Sequence, residues 1–267
     1  MRIGWIGLGA MGLGMARCAA RAGHEVVGHT RGRPEHQALL ADGGRLSRNF
    51  EEVAAPADIL CINVFNDDQV RSVLYDNGVL AQLRPGAILV VHTTGAPELS
   101  RRLQADAPAG VEVVDGAFSG SPQQAAEGAL TLMVGASDTA WPRVEPLFAA
   151  YGEFVRRVGP LGAGMQLKLL NNLLFAAHVR LAADAYRIAI DAGLAAGTVA
   201  EVLARSSGAS RALAILGART GAPDDLSSMR RYVDKDVETA LRIAADAGLD
   251  LKSVGDVAAS FTVRDRA

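Results

Sequence analysis

The chain has 267 residues and a hydrophobic fraction of 49%, which predicts a folded protein of about two domains. Its 27 basic and 29 acidic side chains give a net charge of −2, which argues against a cationic nucleic-acid-binding protein and a polybasic membrane-binding segment. With only Cys18 and Cys61, a disulfide scaffold is not expected. No signal-like segment precedes the first strand, and no apolar run approaches the roughly 18 residues of a membrane span. We therefore expect a cytoplasmic protein that binds neither nucleic acid nor membrane.

Short apolar runs alternate with helical stretches through the first half of the chain. Seven runs rich in Val and Ile are typical of buried strands: Ile3–Ile6, Glu25–His29, Ile59–Phe65, Ile88–His92, Val111–Asp115, Leu130–Val134 and Phe154–Val158. The helices between them include one that ends at Gly23, one that begins at Pro34 and one that Asn49 caps, with Glu52 three residues on. This alternation predicts a doubly wound parallel sheet with right-handed crossovers.

Beyond residue 160 the strand pattern ends, and helical stretches rich in Ala and Leu follow. One long helix is predicted from Gly164 to Ala192, where Gly193 ends it. Shorter helices are predicted after it: Thr198–Ser206, Ala209–Leu216, Asp236–Ala247 and a final short one. The expected fold is an α/β domain over residues 1–160 and an all-α domain over residues 161–267, joined by the long helix.

A glycine loop lies between the first predicted strand and the first predicted helix. Its sequence, Gly7-Leu8-Gly9-Ala10-Met11-Gly12, matches GxGxxG. The first glycine permits a tight turn, the second lets backbone N–H groups approach a pyrophosphate, and the third lets the helix pack closely on the strand. Because a helix N-terminus also favours an anion, the loop predicts a dinucleotide-binding site.

The residues after the second predicted strand indicate which dinucleotide binds. NAD sites usually place an acidic residue about 20 positions beyond the glycines, where it holds the ribose 2′-hydroxyl. Thr30 takes that place here, and Arg31 and Arg33 follow it. Hydroxyl and guanidinium groups favour a 2′-phosphate, so we expect NADP. NAD stays open as the alternative, in which these arginines are only solvated loop charges.

Lysine is rare in this chain, because Lys168, Lys235 and Lys252 are the only three among its 27 basic residues. On the predicted long helix, Lys168 and Asn172 are four residues apart and share one face. A charged group and an amide within an apolar run are costly to bury without partners. The pair therefore predicts a functional site, unless the Lys168 ammonium only reaches solvent at the start of the helix.

Four motifs in the same order resemble those of the β-hydroxyacid dehydrogenases, a family that includes 3-hydroxyisobutyrate dehydrogenase, tartronate semialdehyde reductase and glyoxylate/succinic semialdehyde reductases. They are the glycine loop with Met15, the segment Asp115-Gly116-Ala117-Phe118-Ser119-Gly120-Ser121, the pattern GxGxxxKxxNN from Gly162 to Asn172, and the pair Lys235-Asp236. The resemblance covers nearly the whole chain. It implies a Rossmann domain, a helical domain, and a homodimer or homotetramer formed through the helical domain.

The resemblance also implies a role for individual residues. Lys168 is implied to be the general acid/base, and Asn172 is implied to orient the substrate. The carboxylate of a small substrate is implied to bind the segment Ser119, Gly120 and Ser121. Further residues are implied to contact the cofactor: Val64, Phe65, Thr94 and Lys235. The implied reaction is hydride transfer between a nicotinamide and a small β-hydroxyacid or semialdehyde.

The chain departs from the family pattern at three places. Ser121 stands where the family usually has a second glycine, as in the glyoxylate/succinic semialdehyde branch. His92 stands where the family commonly has an acid, before the pair Thr93-Thr94. The family's last helix is expected to be shortened, because the sequence ends soon after Phe261.

The expected mechanism has Lys168 give a proton to the developing alkoxide, or remove it in the oxidation direction. Burial lowers the pKa of a lysine from about 10.4 toward neutral pH, whereas arginine keeps its proton.

Two alternatives to this function stay open. One is an imine reductase-like relative on the same fold, against which Lys168 argues, and the other is a non-catalytic NADP-binding or interaction module. No His/Cys/Asp cluster has metal-ligand spacing, so no metal is expected.

Overall fold

A computed structural model of the chain describes residues 1–218 and 227–262, of which 227–232 are described by their backbone alone. The chain divides into two compact units, Met1–Lys168 and Leu169–Ala267. Within the described ranges, no helix is both long enough and apolar enough to cross a membrane.

The first unit, every residue of which is described, is built on one eight-stranded sheet. Its strands are β1 (Arg2–Ile6), β2 (Glu25–His29), β3 (Arg45–Ser47), β4 (Ile59–Ile62), β5 (Ile88–Val91), β6 (Glu112–Ser119), β7 (Leu130–Gly135) and β8 (Gly152–Gly159). Their order in the sheet is β3-β2-β1-β4-β5-β6-β7-β8. Strands β1 to β6 are mutually parallel, and the chain reverses its direction of winding between β1 and β4. This is the doubly wound order, which confirms the predicted fold class.

Helices cover both faces of this sheet. They are α1 (Ala10–Arg21), α2 (Ala38–Ala41), α3 (Phe50–Ala54), α4 (Asp67–Arg71), α5 (Pro97–Asp106), α6 (Pro122–Glu127), α7 (Trp141–Ala149) and the first turns of α8 (Ala163–Asp191). Two hydrophobic clusters hold the layers together. One packs α1 and α7 against the sheet, and the other packs α3, α4, α5 and Met165 of α8 against it.

Strand β7 corrects the prediction of an all-parallel sheet, because it runs antiparallel to β6. The connection between them, residues 120–129, holds only the short helix α6. A parallel return needs a crossover of about a dozen residues or more, so this short connection brings the chain back in the opposite direction. Strand β8 is again parallel to β7.

Two further differences concern the extent of strands. Strand β6 begins one residue later than predicted and continues to Ser119, so the segment from Asp115 to Ser119 is itself a strand. The three-residue strand β3 was not predicted, because Arg45–Ser47 is too short and too polar to show a period. The predicted cap of α3 is confirmed, since the Asn49 side chain accepts the N–H of Glu51.

The second unit is helical in its described part. It contains the remainder of α8, then α9 (Ala196–Leu203), α10 (Arg211–Gly217), α11 (Ser227–Asp246) and α12 (Lys252–Thr262). The predicted long helix is confirmed within one residue at each end, and Gly193, with φ of 84°, ends it as expected. Helix α11 begins nine residues before the predicted Asp236, so Lys235 lies inside it. A core that includes Tyr186 and Phe261 joins α8, α10, α11 and α12.

Candidate active site

The carboxyl ends of β1, β4 and β5 form one row across the first unit, and Asp115, in the middle of β6, continues that row. Ile6 pairs with Ile62, Ile62 with Val91, and Val91 with Asp115. The loops that leave this row carry most of the predicted cofactor residues. Ligands of doubly wound sheets bind at this edge, in the crevice where the order of strands reverses.

Gly7 and Gly12 fit the glycine loop to the strands. Gly7 has a φ of 103°, and a Cβ atom there would overlap the carbonyl oxygen of Asn63, which follows β4. A Cβ atom at Gly12 would overlap the carbonyl oxygen of Gly7. Both positions therefore require glycine, because the loop lies directly against the residue that follows β4 and against the start of α1.

Gly9 leaves the space that a dinucleotide needs. A Cβ atom at this exposed glycine would meet nothing within 4 Å, and no side chain caps α1 at this N-terminus. Ala10 and Met11 begin the helix, whereas the Leu8 side chain is buried in the core. First-turn N–H groups have no partner within a helix, so this end is suited to a pyrophosphate. The residues present fit a dinucleotide.

Thr30 holds the loop that follows β2. Its hydroxyl lies 2.7 Å from Nδ1 of His36 and accepts the N–H of Gly32 at 3.0 Å. The buried His36 ring therefore fixes the orientation of the Thr30 hydroxyl, which the sequence spacing predicts to face the cofactor ribose.

Three arginines surround this loop. Arg31 and Arg33 are exposed, and Arg33 makes only a long ion pair of 3.7 Å with Glu35. Arg48, which the sequence analysis missed, places its guanidinium 2.8 Å from where a Cβ of Gly32 would lie. It is 18 residues beyond Thr30, so only the pairing of β2 with β3 brings it to the loop.

Val64 and Phe65 follow β4, and Thr94 follows β5, as their predicted roles require. The neighbouring Thr93 joins the two loops: its hydroxyl accepts the Val64 N–H at 2.9 Å and donates to the Val64 carbonyl at 3.0 Å. Phe65 is 45% exposed. The buried Thr93 hydroxyl thus sets the position of Val64, a role that no local sequence pattern indicates.

The segment Ser119, Gly120 and Ser121 lies at the end of β6. Ser121 caps α6 in a reciprocal pair: its hydroxyl accepts the Gln124 N–H at 3.2 Å, and its own N–H donates to Gln124 Oε1 at 3.0 Å. The backbone donor of Ser121 is thus used within the fold. Gln124 was also missed, although the spacing Ser-x-x-Gln is the signature of a capping box.

Asp115 is a buried carboxylate on β6 that binds two backbone N–H groups at the start of α8. Its Oδ1 accepts the Gly162 N–H at 2.5 Å, and its Oδ2 accepts the Met165 N–H at 2.7 Å. Burial raises the pKa of Asp115 to about 6, although the N–H donors of Gly162, Met165 and Gly164 lower it. The first turn of α8 is therefore attached to β6.

His92 stands beside this strand and is fully buried. Its Nδ1 lies 2.5 Å from the Gly116 carbonyl, which only accepts, so Nδ1 carries the proton. Its Nε2 then accepts from the Tyr151 hydroxyl at 3.0 Å. Burial lowers the pKa of His92 to about 4, so the ring is neutral near pH 7. A neutral donor thus holds the strand next to Asp115.

Lys168 lies on the second turn of α8, three residues after Met165, and is half-buried. Helical spacing places it and Met165 on one side of α8. Its side chain thus extends from the helix whose first turn is attached to Asp115.

Asn172, Lys235 and Asp236 form a cluster within the second unit. The Nδ2 of Asn172 donates to Oδ2 of the buried Asp236, and its Oδ1 accepts from Nδ2 of Asn171 at 3.0 Å. The Lys235 ammonium lies 3.0 Å from Oδ1 of Asp236. The Asn172 amide is thereby fixed in one orientation.

Metal ligands are not grouped in the described parts of the chain: no three His, Cys, Asp or Glu side chains there are arranged to hold an ion. What the first unit offers is a glycine loop for a dinucleotide and a half-buried amine on α8. These features are typical of a dinucleotide-binding oxidoreductase.

Comparison with known proteins identifies the family. Residues 2–160 match the family described as the NAD binding domain of 6-phosphogluconate dehydrogenase, and residues 162–266 match the NAD-binding family of NADP-dependent 3-hydroxyisobutyrate dehydrogenase. The chain belongs to the β-hydroxyacid dehydrogenase family and is an oxidoreductase with a nicotinamide cofactor.

Individual relatives agree with this assignment. The chain is 32% identical to a 2-(hydroxymethyl)glutarate dehydrogenase of Eubacterium barkeri, over 80% of this chain and 71% of the relative. It is 33% identical to an NAD-dependent L-serine dehydrogenase of Pseudomonas aeruginosa, over 86% and 78%. The solved structure of Mycobacterium tuberculosis 3-hydroxyisobutyrate dehydrogenase with L-serine matches with a TM-score of 0.82 at 26% identity, over 97% and 93%.

Proposed function

We propose that the protein is an NADP-dependent oxidoreductase that transfers a hydride between the nicotinamide and a small β-hydroxyacid or semialdehyde, with Lys168 as general acid/base. The observation that carries this proposal is the attachment of the first turn of α8 to Asp115, in the row from which the cofactor loops leave. That attachment brings the start of the helix that carries Lys168 to the edge of the sheet where a dinucleotide binds.

In the reduction direction, Lys168 gives a proton to the oxygen of the substrate carbonyl as negative charge develops there. In the oxidation direction, the neutral amine removes the proton of the hydroxyl group. A bound nicotinamide dinucleotide supplies or accepts the hydride. An amine suits the proton step because it exists in both a protonated and a neutral form, whereas a guanidinium does not release its proton.

The substrate carboxylate is proposed to bind Ser119, Gly120 and the hydroxyl of Ser121. The Ser121 N–H is already bonded to Gln124, so its hydroxyl proton is the donor that this residue offers. Asn172 is proposed to orient the substrate through the donor and lone pair that Asp236 and Asn171 do not use. We propose that residues 1–160 form the cofactor-binding domain, which also supplies Ser119 to Ser121 to the substrate, and that residues 161–267 form a helical domain for substrate binding and subunit association, which also supplies Lys235 to the cofactor.

NADP rather than NAD is proposed because Thr30, and not an acid, stands at the position expected to face the ribose, and Arg31 and Arg33 follow it. Arg48 adds a third guanidinium to the same loop. Guanidinium groups bind phosphate with paired hydrogen bonds, which favours the 2′-phosphate. The remaining cofactor contacts are proposed for Gly7 to Gly12, with Val64, Phe65, Thr94 and Lys235.

An assay of cofactor consumption tests the proposed function. The purified protein is expected to oxidise NADPH with short-chain semialdehydes or keto acids and not with cyclic imines. The kcat/KM with NADPH is expected to exceed that with NADH. The double variant Arg31→Ala, Arg33→Ala is expected to raise the KM for NADPH by about tenfold or more and to leave the KM for NADH nearly unchanged. Arg242→Ala, an exposed arginine on α11, serves as the control.

Two results contradict the proposal. Turnover of cyclic imines alone identifies an imine reductase. NADPH binding without turnover of any carbonyl compound identifies a non-catalytic module.

A homo-oligomer is proposed on the basis of exposed side chains on α8. They are Leu170, Leu174, Leu181 and Ile188. Their spacing of four, seven and seven residues matches the a/d positions of a heptad seam. In a two-fold dimer, the leucine stripe of one copy faces the same stripe of the other copy. A second copy of this chain is therefore the proposed partner.

The association is tested by light scattering coupled to size-exclusion chromatography. Wild-type protein is expected to elute as a dimer or tetramer, and Leu174→Glu with Leu181→Glu as a monomer. Leu249→Glu places the same charge on an exposed leucine outside the seam and is expected to assemble normally. A wild-type monomer, or unchanged assembly of the double variant, contradicts the proposal.

A cytoplasmic location is also proposed. Cys18 and Cys61 are both buried thiols and form no disulfide. Burial raises the pKa of the Cys61 thiol, which keeps it protonated and inert. Thiols in this state are typical of a reducing compartment.

A further inference from the structure

Asp115 has no part in the proposed reaction, yet it joins two segments that are 47 positions apart. Its side chain is fully buried, and each of its two oxygens accepts a backbone N–H from the start of α8. The first N–H groups of a helix have no partner within the helix. The carboxylate supplies those partners at two points and so holds the first turn in place.

Gly164 shows how closely this turn approaches the sheet. A Cβ atom there would overlap the carbonyl oxygen of Met133 and would lie 2.8 Å from Oδ2 of Asp115 and 3.0 Å from the N atom of Gly135. The start of α8 therefore lies directly on the backbone of β7 as well as on β6. Any side chain at this position would lift the helix away from Asp115.

The strand that carries Asp115 is itself held on its other side. Asp115 pairs with Val91, the last residue of β5, and the next residue, His92, donates to the carbonyl of Gly116. One residue further, Thr93 holds Val64 of the cofactor loop. Three sets of hydrogen bonds, linked through the adjacent residues Thr93 and His92 and then Gly116 and Asp115, thus connect the proposed cofactor loop to the first turn of α8.

The position of Lys168 along α8 follows from that turn. Lys168 is three residues beyond Met165, which is about 4.5 Å along a helix that rises about 1.5 Å per residue. A shift or rotation of the first turn is passed on to the lysine, because Met165 and Lys168 are less than one turn apart on the same helix. We propose that Asp115 is a positioning residue that fixes the place of the Lys168 amine. This proposal rests on the proposed role of Lys168 as general acid/base.

The test compares Asp115→Asn and Asp115→Ala with the wild-type protein. Asparagine keeps one acceptor oxygen and alanine keeps none, so the two variants remove the attachment in steps. A misplacement of about 1 Å costs about a hundredfold in rate, so we expect kcat to fall about tenfold for Asp115→Asn and about a hundredfold for Asp115→Ala. The Kd of NADPH is expected to stay the same, because the glycine loop is unchanged.

Two readouts separate positioning from general destabilisation. With NADPH deuterated at C4 of the nicotinamide, the isotope effect on kcat is expected to rise from wild type to Asp115→Asn to Asp115→Ala, because the chemical step becomes slower. In the protein without added cofactor, hydrogen exchange is expected to speed up at the N–H groups of Gly162 and Met165 and to stay unchanged in α1.

Val144→Ala is the matched control, because this buried side chain on α7 lowers stability without removing an acceptor from α8. It is expected to lower the melting temperature and to leave the isotope effect and kcat unchanged. If the Asp115 variants behave in the same way, the positioning role is overturned. If Lys168→Met is inactive while Asp115→Asn and Asp115→Ala keep full kcat, only this inference fails. If Lys168→Met keeps its turnover, the proposed function fails as well.

Discussion

Replacement of Lys168 by arginine is expected to lower kcat by about 10²–10⁴-fold, which is the usual contribution of a positioned acid/base. Arginine keeps a positive charge and a long side chain, so electrostatic attraction to substrate is preserved. It does not release a proton near neutral pH, because its pKa exceeds about 12. The Kd of NADPH is therefore expected to stay within about twofold, since the glycine loop and the arginines after β2 are untouched.

The measurement pairs steady-state turnover with the quenching of tryptophan fluorescence on NADPH binding. Both tryptophans, Trp5 and Trp141, lie in the first unit, where the cofactor loops are. Lys252→Arg is the matched control, because this lysine lies at the start of α12, is highly exposed and forms an ion pair with Asp250. Its kcat is expected to equal that of the wild type. Full kcat in Lys168→Arg shows that the amine does not move the proton.

The central strands of the sheet were predictable because they are buried on both faces and give unbroken apolar runs. Strands β4 and β5 are completely buried and stood out in the sequence for that reason. The direction of β7 was not predictable from its composition, because an apolar run carries no sign of parallel or antiparallel pairing. Only the length of the connection from Ser119 to Leu130 indicates it.

The candidate site was predictable where its residues are close in sequence. The glycine loop and the spacing of Lys168 and Asn172 depend on one turn or one helix. The contacts of Asp115 with Gly162 and Met165 depend on the tertiary fold, and so no local pattern indicates them. The same reason hid Arg48, which reaches the Thr30 loop only through the pairing of β3 with β2.

A pH series is expected to show how much the burial of Asp115 lowers the free energy of unfolding at neutral pH. The folded protein raises the pKa of this carboxyl to about 6, so it holds the proton more tightly than the unfolded chain does. The stability that this proton provides is complete below the ordinary pKa of the group and is lost as the pH rises through 6. Between about pH 4.5 and about pH 7.5 the loss amounts to about 2 kcal/mol.

The comparison that isolates this loss is the free energy of unfolding of wild type minus that of Asp115→Asn, because the amide does not titrate. The other charged or titratable groups on the elements around Asp115 are present in both proteins, so their contributions to the difference cancel. They are His92 after β5, Arg101 on α5 and Lys168 on α8. Urea unfolding followed by tryptophan fluorescence reports the first unit alone. The difference is expected to fall by about 2 kcal/mol from about pH 4.5 to about pH 7.5.

A difference that rises with pH instead shows that the N–H groups of α8 stabilise the anion more than burial destabilises it. A fall, together with slower turnover in Asp115→Asn, shows that the protein gives up stability at neutral pH to hold an ionised carboxylate where it positions Lys168.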